Sequence, residues 1–291
     1  MKKKFYFTFL YGAITSIFCF VLFLNFTSCS SSKTNKESSE TKTEMNDKTT
    51  PLNLSIVIDL SDRLTRNNVN PSQVYNDTAI INYFIDYFIE SKGQDPTKCK
   101  NKFQILFYPT PSDPNINNLS RDLTVDLSKL SNKDKRNQLL TMKDRIDETL
   151  DVIYSKTLEA KKWEGSDIWD FFSNRQVDKL CIKDNYRNIV AILTDGYLFH
   201  SNHKIKEGDA YSYVLPQTLQ NNGTLISRRN DLNNVEIIML EVNPYNPNER
   251  DKLISVLQNW FLDMGVDPTK LSINETDIEN RTETIIENFL N

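Results

Sequence analysis

Three short apolar runs set the strongest limit on how this chain can fold: Leu54–Leu60 (LSIVIDL), Asn188–Leu193 (NIVAIL) and Val235–Val242 (VEIIMLEV). Each is β-branched and too short for an ordinary helix, so each suits a strand. Their apolar character is nearly continuous, and a strand apolar on both faces must be covered on both. That is the condition of a parallel sheet between two helical layers. The intervening segments supply the helices. Thr78–Glu90 and Lys133–Ala160 carry apolar residues at helical spacing, Ile168–Phe172 opens another helix, Glu249–Met264 is amphipathic, and Asp277–Leu290 reads as a closing helix. Lys102–Tyr108 adds a strand stopped by Pro109, Leu123–Leu127 alternates as an edge strand does, and Leu271–Ile273 is a last short strand. This alternation predicts an α/β fold: a doubly wound, mostly parallel open sheet with helices on both faces and a Rossmann-like topology.

The N-terminus carries a separate signal. Lys2, Lys3 and Lys4 precede an uncharged run from Phe5 to Phe26, followed by Thr27-Ser28-Cys29. A basic start, an apolar core and small residues before a cleavage point make a secretory signal. Cys29 stands where bacterial lipoprotein signals place the cysteine that is lipidated after cleavage, with Phe26 where that motif usually has leucine. The same run is long enough for an uncleaved anchor, since about 20 residues span a bilayer. Either way the lysine cluster stays inside, and the rest of the chain lies outside the cytoplasm. The expected location is the cell envelope, as a membrane-anchored lipoprotein facing the periplasm or the exterior. Residues 29–51 offer almost no apolar side chain to offset the entropy of ordering and read as a disordered tether. The expected organisation is a lipoprotein signal peptide at 1–28, the tether at 29–51 and one α/β domain at 52–291.

Composition narrows the partners. Formal net charge is −4, and removing the three lysines of residues 1–28 leaves about −7, which gives no footing for nucleic acid. With only 7 glycines and neither a GxGxxG nor a Walker A pattern, a Gly-rich phosphate loop is not expected. No CxxC occurs, so a zinc ribbon or redox motif is unsupported. Cys99 and Cys181 could form a disulfide in an oxidising compartment, but nothing in the sequence brings them together.

A doubly wound sheet binds ligands beyond the carboxyl ends of its strands, near the point where strand order reverses. Two such ends carry aspartate. The first run finishes Asp59-Leu60-Ser61-Asp62-Arg63, and the central one finishes Thr194-Asp195-Gly196. Between them, Gly165-Ser166-Asp167-Ile168 stands at a loop-to-helix junction. Carboxylates and hydroxyls are hard oxygen ligands, suited to Mg²⁺, Mn²⁺ or Ca²⁺. Taken singly, each aspartate could simply cap a turn. In order and in strand context, they resemble the metal-ion-dependent adhesion site of von Willebrand factor A-type (VWA) domains, over roughly Leu52 to Asn291. Asp59 and Ser61 match the first two positions of that family's Asp-x-Ser-x-Ser element, Ser166 resembles its threonine, and Asp195 its second aspartate. The resemblance implies a VWA-like domain whose hydroxyls touch a divalent metal while the carboxylates hold its waters. Arg63 replaces the last serine of the element, removing a hydroxyl and adding a permanent charge. Pointing inward, it would repel a cation or pair with Asp59 or Asp195; pointing outward, it would leave Asp62 or water to fill the gap.

His200 and His203 follow the Asp195 strand and read as solvated loop histidines, because a zinc pair would need further ligands. Trp163, Trp169, Tyr197, Phe199 and Tyr211 read mostly as core aromatics, with those on loops free to rim a binding face. Lys204–Arg229 lacks periodicity and reads as a long excursion, either functional or a variable insertion. The resemblance implies a non-enzymatic binding module that captures a protein or peptide carboxylate, or another acidic group, by completing the coordination of a divalent cation. The alternative is a metal-free structural or regulatory envelope lipoprotein with Arg63 filling the site. A metal-dependent hydrolase ranks last, because no Gly-x-Ser-x-Gly elbow and no positioned base or nucleophile is evident.

Overall fold

Neighbouring strands settle the architecture. In a computed structural model, which describes residues 50–65, 72–275 and 279–291, β1 (Leu52–Ile58) lies between β2 (Lys102–Phe107) and β4 (Arg187–Leu193), parallel to both. Outside β2 runs β3 (Thr124–Asp126), antiparallel, and outside β4 run β8 (Glu236–Leu240) and β9 (Leu271–Ile273), both parallel. The order β3-β2-β1-β4-β8-β9 is a mostly parallel, doubly wound six-stranded sheet whose strand order reverses between β1 and β4. Of the segments read as signal peptide (1–28) and tether (29–51), residues 1–49 lie outside the described residues, and Cys29 with them. Among the described residues, no helix is long and apolar enough to cross a membrane.

The double-sided apolarity of the central strands works as expected. Leu54, Ile56, Ile58, Ile189, Ala191 and Leu193 pack on one face, beneath α1 (Gln73–Glu90), α3 (Asn132–Ala160) and α8 (Glu279–Leu290). Val57, Val190, Ile192, Ile237 and Met239 pack on the other, beneath α4 (Ile168–Ser173), α5 (Gln176–Leu180) and α7 (Arg250–Asp263). Each such Val, Leu, Ile or Met side chain, fully removed from water, contributes roughly 1.5–3 kcal/mol. The short helix α2 (Pro114–Ser120) sits between β2 and β3 in the chain, with Ile116 in the first core.

Element ends depart from the apolar patterns where polar caps or backbone turns decide. Helix α1 starts at Gln73, before the apolar periodicity, because the Ser72 side chain accepts the Tyr75 N–H. Strand β8 ends at Leu240, short of Val242, because Glu241 turns to φ +68°. The excursion after β4 holds a small sheet of β5 (Lys206–Glu207), β6 (Ala210–Tyr211) and β7 (Thr224–Leu225), with α6 (Pro216–Gln220) between the last two. Two-residue strands are too short to leave a periodic signature. Cys99 and Cys181 are buried free thiols, and burial pushes Cys181 up to about 12.

Candidate functional site

Strand register builds the site. Ile58 pairs with Leu193, and Leu193 with Leu240, so Asp59, Thr194 and Glu241 follow in one row at the carboxyl edge of three adjacent strands. The row is tied by the Asp59 N–H donating to the Leu193 carbonyl (3.0 Å) and the Thr194 N–H to the Leu240 carbonyl (3.3 Å). Asp59 is fully buried. Its Oδ1 accepts the Ser61 N–H at 2.8 Å, and its Oδ2 accepts the Thr194 hydroxyl at 3.0 Å. Burial pushes the Asp59 carboxyl above its ordinary value; Arg63 and hydrogen bonds from Ser61, Thr194 and Ser166 oppose that rise without cancelling it.

Ser166 reaches this spot from a different loop. A two-residue bridge holds it: the Ser166 N–H donates to the Phe199 carbonyl (2.9 Å), and the Phe199 N–H donates back (2.8 Å). The preceding residue must be glycine. Gly165 sits at φ +85°, and a Cβ there would lie 2.5 Å from the Phe199 carbonyl oxygen. The buried Ser166 hydroxyl approaches the Asp59 carboxylate closely enough to lower its pKa, yet completes no hydrogen bond of normal geometry. An orphaned buried hydroxyl is costly unless something else satisfies it. A small cavity of about 50 Å³, lined in part by Leu60, Pro109, Ile116 and Gly165, opens alongside.

The remaining expected residues fall as follows. Ser61 is buried, and its hydroxyl accepts the Arg63 N–H at a long 3.5 Å. Asp195 is buried and holds the turn, its Oδ1 accepting the Tyr197 N–H at 3.0 Å. The hydroxyl that meets Asp59 belongs to Thr194, one residue earlier, a partner the sequence reading passed over. Asp62 is exposed, and its carbonyl accepts the Thr65 hydroxyl.

Arg63 takes the inward course, but its ion-pair partners are not the expected Asp59 or Asp195. It turns inward, fully buried, but its side chain passes the Asp59 carboxylate. Nε donates to the Asp59 backbone carbonyl at 2.8 Å, and the guanidinium pairs with Asp77 of α1 and with Glu241. The Tyr154 hydroxyl and the Gln73 amide also donate to Asp77. Burial would raise the Asp77 carboxyl, but Arg63, with hydrogen bonds from Glu241 and Tyr154, outweighs it and holds Asp77 below the ordinary carboxylate value. Burial, reinforced by the Asp77 anion, pushes Glu241 far above its ordinary value. Asp77 thus balances the Arg63 guanidinium, and burial beside that anion disfavours a second negative charge at Glu241.

The histidines are not simply solvated. His200 and His203 face Asp167, the residue after Ser166, and His203 also faces Asp170. Nothing near the histidines in sequence pointed to Asp167, more than thirty positions earlier. Trp169 is core, its indole N–H donating to the Ile226 carbonyl at 3.0 Å, and Tyr197 is buried; Trp163 and Tyr211 are half-buried, and Phe199 is exposed.

No family model matches this chain, and no curated protein is significantly similar to it. Among solved structures, it is similar to the pilus adhesin SpaC from Lactobacillus rhamnosus GG at 10% identity and TM-score 0.41, over 82% of this chain and 31% of the adhesin. It thus spans about a third of that protein. It is also similar to an aerotolerance-related membrane protein from Bacteroides fragilis (11% identity, TM-score 0.37) and to the conserved hypothetical protein BatB from Bacteroides thetaiotaomicron (11%, TM-score 0.35), each over 82% of this chain and 98% of the other. Likenesses this low carry no argument, and the fold stands on strand order and register.

Proposed function

We propose that the chain is an exported lipoprotein of the cell envelope whose VWA-like domain is a binding module without turnover. In this reading Asp59, Ser61 and Ser166 hold a divalent cation, Mg²⁺ or Mn²⁺ with Ca²⁺ as the alternative, and Asp195 steadies the loop beside it. The cation would take an acidic group of a protein or peptide ligand into its coordination sphere. The observation that carries the reading is the orphaned Ser166 hydroxyl beside a buried carboxylate that is short of positive charge. Both are relieved by one hard cation, for which hydroxyl and carboxylate oxygens are the fitting donors. Arg63 does not oppose it strongly, because Asp77 neutralises the guanidinium. The cavity beside Gly165 offers a partly apolar recess for a ligand side chain.

One observation favours the metal-free reading. Arg63 stands in place of a ligand hydroxyl, and its charge already acts on Asp59. Titration calorimetry of the full-length chain with Mn²⁺ separates the two. The expected result is binding at or below about millimolar concentration, weakened at least about tenfold by Asp59→Ala. The double variant Arg63→Ser/Asp77→Asn restores the missing hydroxyl while leaving no unpaired buried charge at Asp77, and should bind Mn²⁺ more tightly than the wild type. If neither protein binds, the domain is a metal-free scaffold.

A further inference from the structure

We propose that Asp167, His200 and His203 form a second metal site, selective for a borderline divalent cation of the zinc type and separate from the oxygen donors around Asp59. One ligand atom from each lies within 4.8 Å of the other two. His200 Nδ1 is 3.4 Å from Asp167 Oδ2, and His203 Nε2 is 3.6 Å from the same oxygen. Two metal–ligand bonds of about 2.0–2.1 Å at a tetrahedral angle hold their ligand atoms roughly 3.3–3.4 Å apart. The two edges that meet at Asp167 Oδ2 thus already stand close to the edge length of a zinc tetrahedron, and the third, between the imidazoles, is within 4.8 Å.

Two of the three ligands are oriented by their other polar atom. Asp167 Oδ1 accepts the Asp170 N–H at 3.3 Å and caps α4, which leaves Oδ2 for the histidines. His203 Nδ1 lies 3.2 Å from Asp170 Oδ1. An Nδ1–H donated there leaves the lone pair on Nε2, the nitrogen facing Asp167. A carboxylate that fixes the tautomer of a ligating histidine from behind is the usual support of such sites. Asp170 is held in turn by the Tyr108 hydroxyl and the Asn174 amide. His200 Nδ1 receives the Asn202 N–H at 3.4 Å, a long contact that a metal bond would replace.

Exposure and chemistry complete the case. The Asp167 side chain is 5% exposed, while His200 and His203 are 20% and 32% exposed. An ion can therefore enter from solvent and keep a coordination position open on that side, where a water or an anionic ligand group would bind. Two imidazoles and one carboxylate suit Zn²⁺ over Mg²⁺ or Ca²⁺. The site shares a loop with the first but no ligand: Ser166 faces Asp59, and Asp167 faces the histidines. It does not rest on the function proposed above.

The test is titration of the full-length chain with Zn²⁺, and with Co²⁺ as a spectroscopic stand-in. We expect one Zn²⁺ per chain and visible ligand-field bands with Co²⁺. His200→Ala and His203→Ala should each weaken Zn²⁺ binding at least about tenfold, and Asp170→Asn about tenfold through the tautomer it fixes. Asp59→Ala should leave Zn²⁺ affinity unchanged, which separates this site from the Mn²⁺ site. Absence of Co²⁺ bands in the wild type overturns the proposal without recourse to any variant. So does Zn²⁺ binding no tighter than in the double variant His200→Ala/His203→Ala. The histidines would then serve only as polar neighbours of Asp167 and Asp170.

Discussion

Arg63 and Asp77 meet in the interior as a two-pronged ion pair: Nη1 lies 3.0 Å from Oδ1 and Nη2 2.7 Å from Oδ2, and neither side chain is more than 1% exposed. The pair fastens the loop after β1 to helix α1. Parallel N–H···O contacts make it a strong, directional pair, and removing Asp77 leaves the buried guanidinium dependent on the Glu241 carboxyl. Asp77→Ala should therefore cost about 3–5 kcal/mol in urea unfolding, whereas Arg63→Met with Asp77→Leu should recover most of the loss. A loss below about 1 kcal/mol for Asp77→Ala would mean that water reaches the guanidinium.

Glu241 gives the fold a pH dependence. Its folded pKa is raised, so between the ordinary carboxylate value and the folded one the native state binds a proton that the unfolded chain has lost. Stability falls as pH rises through that window, by about 1.4 kcal/mol per pH unit. Asp59, also raised, contributes in the same sense. Glu241→Gln mimics the protonated acid without needing a proton, and should be more stable than the wild type near neutral pH with a flatter profile. Urea unfolding at several values between about pH 5 and 8 reads the slope. A variant that is destabilised with the slope unchanged would show Glu241 to be an anion in the fold.

Gly165 positions Ser166. Any side chain there meets the Phe199 carbonyl and must hold φ near +85°. Gly165→Ala should cost about 1–3 kcal/mol and shift Ser166 away from Asp59, so that Mn²⁺ affinity falls with stability. Gly208, also at positive φ but with open space around it, is the control: Gly208→Ala should carry conformational strain alone and leave Mn²⁺ affinity intact.

Export and anchoring are checked at Cys29. Cys29→Ala should block maturation and leave the longer precursor, visible as a mass increase over the processed wild type. A wild-type mass that retains residues 1–28 would instead identify the N-terminal run as an uncleaved anchor.

The sequence by itself determined the fold and the strand ends that carry its aspartates. Strands apolar on both faces require a helical layer on each side, and that requirement is written in local, one-dimensional pattern. The same pattern put Asp59 and Asp195 at strand ends. Tertiary structure alone decided what those residues touch. The pairing of Ile58 with Leu193 brought the Thr194 hydroxyl to Asp59. Arg63 found Asp77 on the next helix and Glu241 178 positions away. Asp167 came to lie against His200 and His203 because the Ser166–Phe199 bridge joins their loops. Such contacts follow from register and loop path across long separations, and neither leaves a mark in the composition or periodicity of the segments concerned.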